Sequence, residues 1–159
     1  MEEQRTSITM SEVMTPNQAN FAGNIHGGQL LSFLDKVAYA CAARYSGRYV
    51  VTLSVDQVVF KHPVHVGNLL TCLASINHVG NSSMEIGIKV IAEDLTTGTV
   101  THTNSCFFTM IALDDNHKPV TINPLICKTD EQKRRFKEAE LRKKMRIELA
   151  EKEKNILKK

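Results

Sequence analysis

An aspartate inside an apolar segment is the side chain of this sequence best suited to chemistry. Asp35 lies among Leu31, Leu34 and Ala38, and no Lys or Arg follows it by three or four residues. A carboxylate in such surroundings is either neutralised by a partner from elsewhere in the fold or kept as a general base or nucleophile. The residues alone leave both alternatives open.

Residues just before that segment could stabilise a developing negative charge. His26, Gly27 and Gly28 stand where a helix would begin, so free backbone N–H groups and the helix dipole would favour an oxyanion there. A glycine pair before a helix is also common turn chemistry. Asn20 and Asn24 in the same loop could orient a water molecule or a carbonyl, or could form Asx turns and caps.

One helix and a first strand must position these residues. Residues 29–46 are apolar almost all round and rich in Ala and Leu, and Gly47 is placed to end them, which predicts a buried helix. Residues 8–14 are typical of a strand. Residues 15–28, which contain several Asn and Gly, indicate a loop between the two.

The remainder of the fold is predicted to be strands, over residues 49–61, 68–79, 82–93 and 99–114. In the first of these, apolar and polar side chains alternate, which predicts one buried face made of Val51, Leu53, Val55 and Val59. Consecutive strands without helical crossovers favour an antiparallel sheet wrapped around a single central helix, and therefore the α+β class.

A charged helix is predicted after residue 128. Thr129 is the expected N-cap, and Leu141, Met145 and Leu149 form a narrow apolar stripe. So narrow a stripe does not hold a helix of this length alone, so we expect the helix to dock on its own sheet or on a neighbour. We therefore expect one domain over residues 1–127 and a helical extension over residues 128–159.

Composition excludes several classes of function. The net charge of +3 is concentrated in the C-terminal tail, so no nucleic-acid-binding face is indicated. No stretch approaches the ~20 apolar residues of a membrane span, and the N-terminus does not resemble a secretory signal, so we expect no membrane insertion and a cytoplasmic location. The four cysteines lack metal-ligand spacing and read as reduced thiols, and His62 and His65 lack partners for a metal.

Several segments, in order and spacing, closely resemble one family. ANFAGNIHGGQLLSFLD, VVTLSVDQVVF, SMEIGIKV and HTNSCFFTM are similar to the hotdog-fold acyl-CoA thioesterases, the acyl-CoA hydrolase family that includes brain acyl-CoA hydrolase. The resemblance implies a hotdog fold, hydrolysis of acyl-CoA with coenzyme A as product and no cofactor, and a homo-oligomer. It implies a dimer as the catalytic unit and a trimer of such dimers.

The resemblance also implies roles for individual residues. Asn20, Asp35 and Thr52 match the catalytic positions of the family, where the Asn comes from one subunit and the Asp from its partner. Gly27 and Gly28 would polarise the thioester carbonyl, and Thr52 would position Asp35 or the attacking group.

The coenzyme A moiety has candidate contacts as well. Lys61 could meet a phosphate, and the turn made by Gly80, Asn81, Ser82 and Ser83 resembles the nucleotide-proximal turn of the family. Two alternatives remain: a hotdog dehydratase, for which His26 is the candidate histidine, and a non-catalytic acyl-CoA sensor or assembly module that presents the basic tail to a partner.

Overall fold

The computed structural model describes residues 3–158, which form a five-stranded antiparallel sheet and two helices. The strands are β1 (Ser7–Val13), β2 (Tyr49–Val55), β3 (Leu69–Val79), β4 (Ser83–Glu93) and β5 (Val100–Leu113), and the helices are α1 (Gly27–Ser46) and α2 (Asp130–Leu157). A 3₁₀ turn covers Pro16–Gln18. The α+β class is confirmed, and most predicted boundaries lie within two residues of those observed.

The central helix and the curled sheet form the hotdog architecture that the resemblance implied. The strand order is β1–β3–β4–β5–β2, so β1 and β2 are the edges. Leu34, Val37 and Ala42 of α1 are buried against the inner face of the sheet, and Gly47, with φ of 64°, ends the helix in the left-handed conformation.

The β2 edge differs from its prediction. Leu53 is 65% exposed, Val55 and Val59 are exposed too, and Val51 is only half-buried, so the predicted buried face is wrong for the single chain. The alternation of buried and exposed side chains is interrupted because the register between β2 and β5 shifts between Thr52 and Ser54. Because β2 is the last strand of the sheet, one side of α1 next to it is left uncovered. The helix is therefore buried on one face and not all round.

The predicted strand over residues 49–61 ends early, at Val55. Residues 56–61, called here the edge segment, continue along β5 without regular pairing. The N–H of Asp56 donates to the carbonyl of Phe107 at 3.0 Å, and the N–H of Lys61 donates to that of Thr103 at 3.4 Å. The edge segment is therefore tied to the sheet at its two ends.

Helix α2 packs on the outer face of the sheet, but not by the predicted stripe. Leu141, Met145 and Leu149 are all more than half exposed in the single chain, so the stripe does not dock α2 on its own sheet, and docking on a neighbour stays a prediction. Charged groups dock the helix instead: Glu85, only 3% exposed, accepts hydrogen bonds from Arg142 and Arg146. The predicted cap is confirmed, because Thr129 Oγ1 accepts the N–H of Gln132 at 3.1 Å. Neither helix has an apolar run long enough to cross a membrane.

Candidate active site

Asp35 is held by a residue of the edge strand. Thr52 Oγ1 donates to Oδ1 of Asp35 at 2.5 Å, and both side chains are exposed in the single chain. Asp35 takes part in none of the ion pairs found among residues 3–158. The single chain therefore does not neutralise the Asp35 carboxylate with a cation, which was one of the two alternatives. The carboxylate keeps its second oxygen free for other contacts.

A groove runs along α1 on one side of Asp35, which we call the Asp35 groove. It encloses about 540 Å³ between α1 and the chain from Val55 onward. Its walls are mostly apolar and are made by Gly28, Leu31, Ser32, Asp35, Val55, Asp56, Val58, Phe60 and Phe108. Gly28 and Asp35 thus face the same space, about 10 Å apart along the helix axis at 1.5 Å per residue.

A second cavity, of about 330 Å³, opens on the other side of the carboxylate. It is lined by Asp35, Lys36, Tyr39, Tyr49, Val50, Val51, Thr52 and Met110. Asp35 borders both cavities, so a long substrate could extend to either side of the acid. This arrangement suits a reacting group with a substituent on each side.

The start of α1 has backbone donors without intrahelical acceptors, and of its two glycines only Gly28 lines the groove. His26 is the N-cap residue, and its carbonyl accepts the N–H groups of Gln29 and Leu30 at 3.0 and 3.1 Å. The N–H groups of Gly27 and Gly28 belong to the first helical turn, which lacks intrahelical acceptors. A Cβ at Gly28 would meet no atom within 4 Å, so the backbone there is open to a ligand.

The two asparagines lie in a closed turn outside the groove. Asn20 Oδ1 accepts the N–H groups of Ala22 and Asn24 at 3.0 and 3.1 Å, which is the Asx turn that the sequence left as one alternative. The Asn20 side chain keeps its amide N–H₂ for a ligand. Asn20, Asn24 and His26 are absent from the lining of both cavities at Asp35.

The candidate coenzyme A contacts fall at separate places. The turn from Gly80 to Ser83 precedes β4, where Ser83 pairs with Ile111, whereas Lys61 contacts β5 at Thr103. Eight residues of β5 separate the two points, about 26 Å at ~3.3 Å per residue. Within one chain, Lys61 and this turn therefore cannot contact the same small group.

Two polar residues in or beside the edge segment were not predicted from the sequence as part of a site. Asp56 lines the groove and pairs with Arg146 at 2.9 Å, and Asn104, on β5, is buried in a strand interior. The segment HTNSCFFTM contained a signal, because Asn104 shares the two-residue period of Cys106 and Phe108, and a polar side chain on that face needs a hydrogen-bond partner.

The buried thiols are not nucleophiles. Burial raises the pKa of Cys41, Cys72 and Cys106 to about 12 in each case, so the reactive thiolate is scarce at neutral pH. Among residues 3–158 no group of His, Cys, Asp and Glu has the geometry to hold a metal ion. Asp35 is the acidic group best placed for chemistry at the groove.

A central helix wrapped by an antiparallel sheet is the hotdog architecture, and here an acid of that helix borders an apolar groove. The thioesterase superfamily model matches residues 22–99. VdlD of Helicobacter pylori is 54% identical over 89% of this chain and 81% of its own length. An uncharacterised acyl-CoA thioester hydrolase of Bacillus subtilis, YkhA, is 34% identical over 80% of this chain and 74% of its own.

Solved structures agree with these sequence matches. A hexameric acyl-CoA thioesterase superposes with a TM-score of 0.87 at 34% identity, over 92% of this chain and 94% of its own. The Staphylococcus aureus acyl-CoA hydrolase, solved with butyryl coenzyme A and coenzyme A, has a TM-score of 0.82 at 27% identity, over 96% and 95% of the two chains. The chain therefore belongs to the thioesterase superfamily, as a hotdog-fold enzyme of the acyl-CoA hydrolase kind.

Proposed function

We propose that this enzyme hydrolyses acyl-CoA thioesters to a free carboxylic acid and coenzyme A at Asp35, with water as the only co-substrate. The observation that carries the proposal is the hydrogen bond from Thr52 to Asp35 beside a groove that also reaches Gly28. The names of the relatives support the choice of an acyl-CoA substrate.

The reaction divides between the helix start of one subunit and the acid of its partner, because Gly28 and Asp35 of a single chain lie about 10 Å apart along the helix. The N–H groups of Gly27 and Gly28 of one subunit polarise the thioester carbonyl, and the helix dipole favours the oxyanion. Asp35 of the other subunit, oriented by Thr52, either removes a proton from the attacking water or attacks the carbonyl itself to form an anhydride, which water then hydrolyses. In both routes water supplies the oxygen of the free acid and the proton with which the sulfur leaves as the thiol of coenzyme A.

The complete site takes residues from two subunits of a homo-oligomer. Asn20 does not line the groove of its own chain, and the neighbouring Phe21 is fully exposed at the tip of the turn. The exposed β2 edge offers apolar side chains and free backbone groups for a second copy. We therefore propose that Asn20 enters the site of the partner subunit and orients the water or the carbonyl.

The comparisons are compatible with this arrangement. The neighbour of TM-score 0.87 is hexameric, as expected for a trimer of dimers. The S. aureus hydrolase has been studied as an Asp-to-Ala and an Asn-to-Ala variant whose positions are fifteen residues apart. Asn20 and Asp35 have the same separation.

Release of free thiol from acyl-CoAs of different chain length tests the activity. Asp35→Asn keeps the size of the side chain and removes the base, so kcat should fall by about 10²–10⁴-fold. Asp115→Asn, in an exposed turn, is the matched control and should retain wild-type kcat. Binding of acyl-CoA without turnover by the wild type would favour the sensor alternative instead.

Mixing two inactive variants tests whether sites are shared. If Asn20 and Asp35 of different subunits form each site, a mixed dimer of Asn20→Ala and Asp35→Asn contains one intact site and one doubly defective site. Random reassociation should therefore restore about a quarter of wild-type activity. An inactive mixture, with exchange verified by differently tagged subunits, would show that both residues act within one chain.

A further inference from the structure

Arg146 of helix α2 is bonded to two carboxylates, one on the sheet and one in the edge segment. Its Nη1 donates to Oδ2 of Asp56 at 2.9 Å and to Oε2 of Glu85 at 3.2 Å. The side chains of Arg146 and Asp56 are 24% and 22% exposed, and Glu85 is buried. Charge-assisted hydrogen bonds so far removed from water hold their partners in a defined geometry. Arg146 therefore joins α2 to the start of the edge segment.

Arg142 lies one turn earlier on α2 and shares only part of this role. It donates to both carboxylate oxygens of Glu85, from Nη2 at 2.7 Å and from Nε at 3.1 Å, and its guanidinium lies 3.8 Å from the centre of the Phe107 ring. Among residues 3–158 its ion pair is with Glu85, whereas Arg146 pairs with Asp56 as well. The two arginines therefore both dock the helix, and Arg146 is the one that reaches the edge segment.

The edge segment depends on such contacts because regular strand pairing stops at Val55. Its backbone is bonded to β5 at its two ends, by the N–H groups of Asp56 and Lys61. A stretch with few backbone hydrogen bonds opens locally more easily than a paired strand, so side-chain contacts decide its position. The ion pair between Asp56 and Arg146 fixes the point at which the chain leaves β2.

The same segment forms one wall of the Asp35 groove. Val58 and Phe60 line the groove together with Leu31 of α1, and a Cβ added at Gly27 would meet the Phe60 ring at 3.4 Å. Dispersion contacts weaken strongly when two surfaces separate by 0.5–1 Å, on the order of a quarter to a half of their energy. A small displacement of the edge segment would therefore reduce the contacts that an alkyl chain makes in the groove.

We propose that helix α2 fixes this wall of the groove, with Arg146 as a positioning residue that acts through Asp56 and thereby sets the preference for long over short acyl chains. The inference rests on the proposed hydrolysis of acyl-CoA and deepens it. Arg146 is absent from the lining of the groove, and Asp56 Oδ2 is bonded to α2. The effect is therefore on the binding of the alkyl chain and not on the reacting atoms.

The first test compares octanoyl-CoA with acetyl-CoA as substrates of the full-length enzyme at matched oligomeric mass. A methylene group that loses its apolar wall weakens binding by about fourfold. Arg146→Gln and Asp56→Asn should therefore each lower the ratio of kcat/KM for octanoyl-CoA to kcat/KM for acetyl-CoA by about tenfold, mainly through KM. Arg142→Gln is the matched control and should keep the wild-type ratio. Arg146→Lys retains a positive charge and should recover part of the ratio.

The second test needs no turnover. Hydrogen exchange followed by mass spectrometry reports how firmly residues 57–60 are held. Their backbone amides should exchange about tenfold faster in Arg146→Gln and in Asp56→Asn than in the wild type, and at the wild-type rate in Arg142→Gln. If the wild type hydrolyses neither thioester, the proposed function fails, and the exchange rates still decide whether Arg146 fixes the wall.

Three results would overturn the inference. An unchanged ratio in active Arg146→Gln enzyme would show that the ion pair has no part in chain-length preference, even if exchange is faster. A ratio that falls equally in Arg142→Gln would assign the effect to the docking of α2 on Glu85. Equal loss of kcat/KM with both substrates would mean that the damage is structural and does not act through the groove wall.

Discussion

Thr52 and Asp35 are joined by a 2.5 Å hydrogen bond that links the edge strand β2 to the central helix. The contact falls at the register shift between Thr52 and Ser54, where the edge strand departs from regular pairing with β5. A bulge of this kind re-aims a side chain, and here it aims the Thr52 hydroxyl at the acid. The orientation of the carboxylate therefore depends on the edge of the sheet as well as on the helix.

Loss of the Thr52 hydroxyl should slow the chemical step. Thr52→Val keeps the shape of the side chain but cannot donate to Asp35, so kcat should fall by about 10–100-fold through misorientation of the acid. Thr52→Ser retains the hydroxyl and should keep most of the activity. Steady-state kinetics on all three proteins checks this, and equal kcat in Thr52→Val and the wild type would contradict a positioning role.

The ionic docking of α2 should matter to stability. Glu85→Gln leaves Arg142 and Arg146 without their buried carboxylate, which should cost about 3 kcal/mol in the free energy of unfolding. Glu138→Gln removes an exposed ion pair with Arg134 and should cost less than about 0.5 kcal/mol. Urea unfolding measures both. Similar losses for the two variants would mean that the buried network does not hold the helix.

Charge on the exposed edge should separate subunits. Leu53→Asp places a carboxylate on the apolar β2 edge, so the oligomer should dissociate and activity should fall with it. Leu95→Asp, at an exposed turn between β4 and β5, is the matched control. Light scattering after gel filtration gives the mass of each variant. A Leu53→Asp protein of wild-type mass and activity would place the interface elsewhere.

Thiol reagents should distinguish one cysteine from the other three. Cys41, Cys72 and Cys106 are buried and burial raises the pKa of each thiol to about 12, whereas Cys127 is partly exposed. One thiol per chain should therefore react with a disulfide reagent at pH 8 in the native state, and four after unfolding. In Cys127→Ser the native reaction should disappear. Rapid labelling of more than one thiol in the folded wild type would contradict the buried placement.

The stability of the protein should decline in mild acid through His78. Burial, together with the Lys143 ammonium, lowers the pKa of this imidazole below its ordinary value of 6.5, and its ring packs on Phe136 of α2 at 4.6 Å. Below pH 6.5 the unfolded chain binds the proton before the folded chain does, so stability is full above that pH and decreases as the pH falls toward the lowered folded-state value.

Melting temperatures at pH 8.0 and 5.5 measure this contribution. His78→Gln should show a smaller difference between the two pH values than the wild type, because the shifted group is gone. His62→Gln, at an exposed turn, should keep the wild-type difference. An undiminished pH dependence in His78→Gln would assign the effect to other groups.

The order of elements could be predicted because it depends on local patterns. Period two identified the strands, the Ala- and Leu-rich run identified α1, and Gly47 and Thr129 marked helix ends at positions that the structure confirms. Asp35 could be singled out for the same reason, as a charge that its own helix does not pair. Local sequence carries this information because capping and periodicity act within a few residues.

The position of each residue relative to the edge of the sheet could be known only from the tertiary structure. Leu53 and Val55 have a strand pattern, but only the register shift and the strand order show that they lie on an open edge. Leu141 and Met145 form a stripe, yet α2 docks by Arg142 and Arg146 because Glu85 lies beneath them. Neighbouring residues were sufficient to predict the helix, the strands and the acid at Asp35. The Thr52 partner of that acid and the charged docking of α2 depend on contacts between residues distant in the chain, which only the folded sheet brings together.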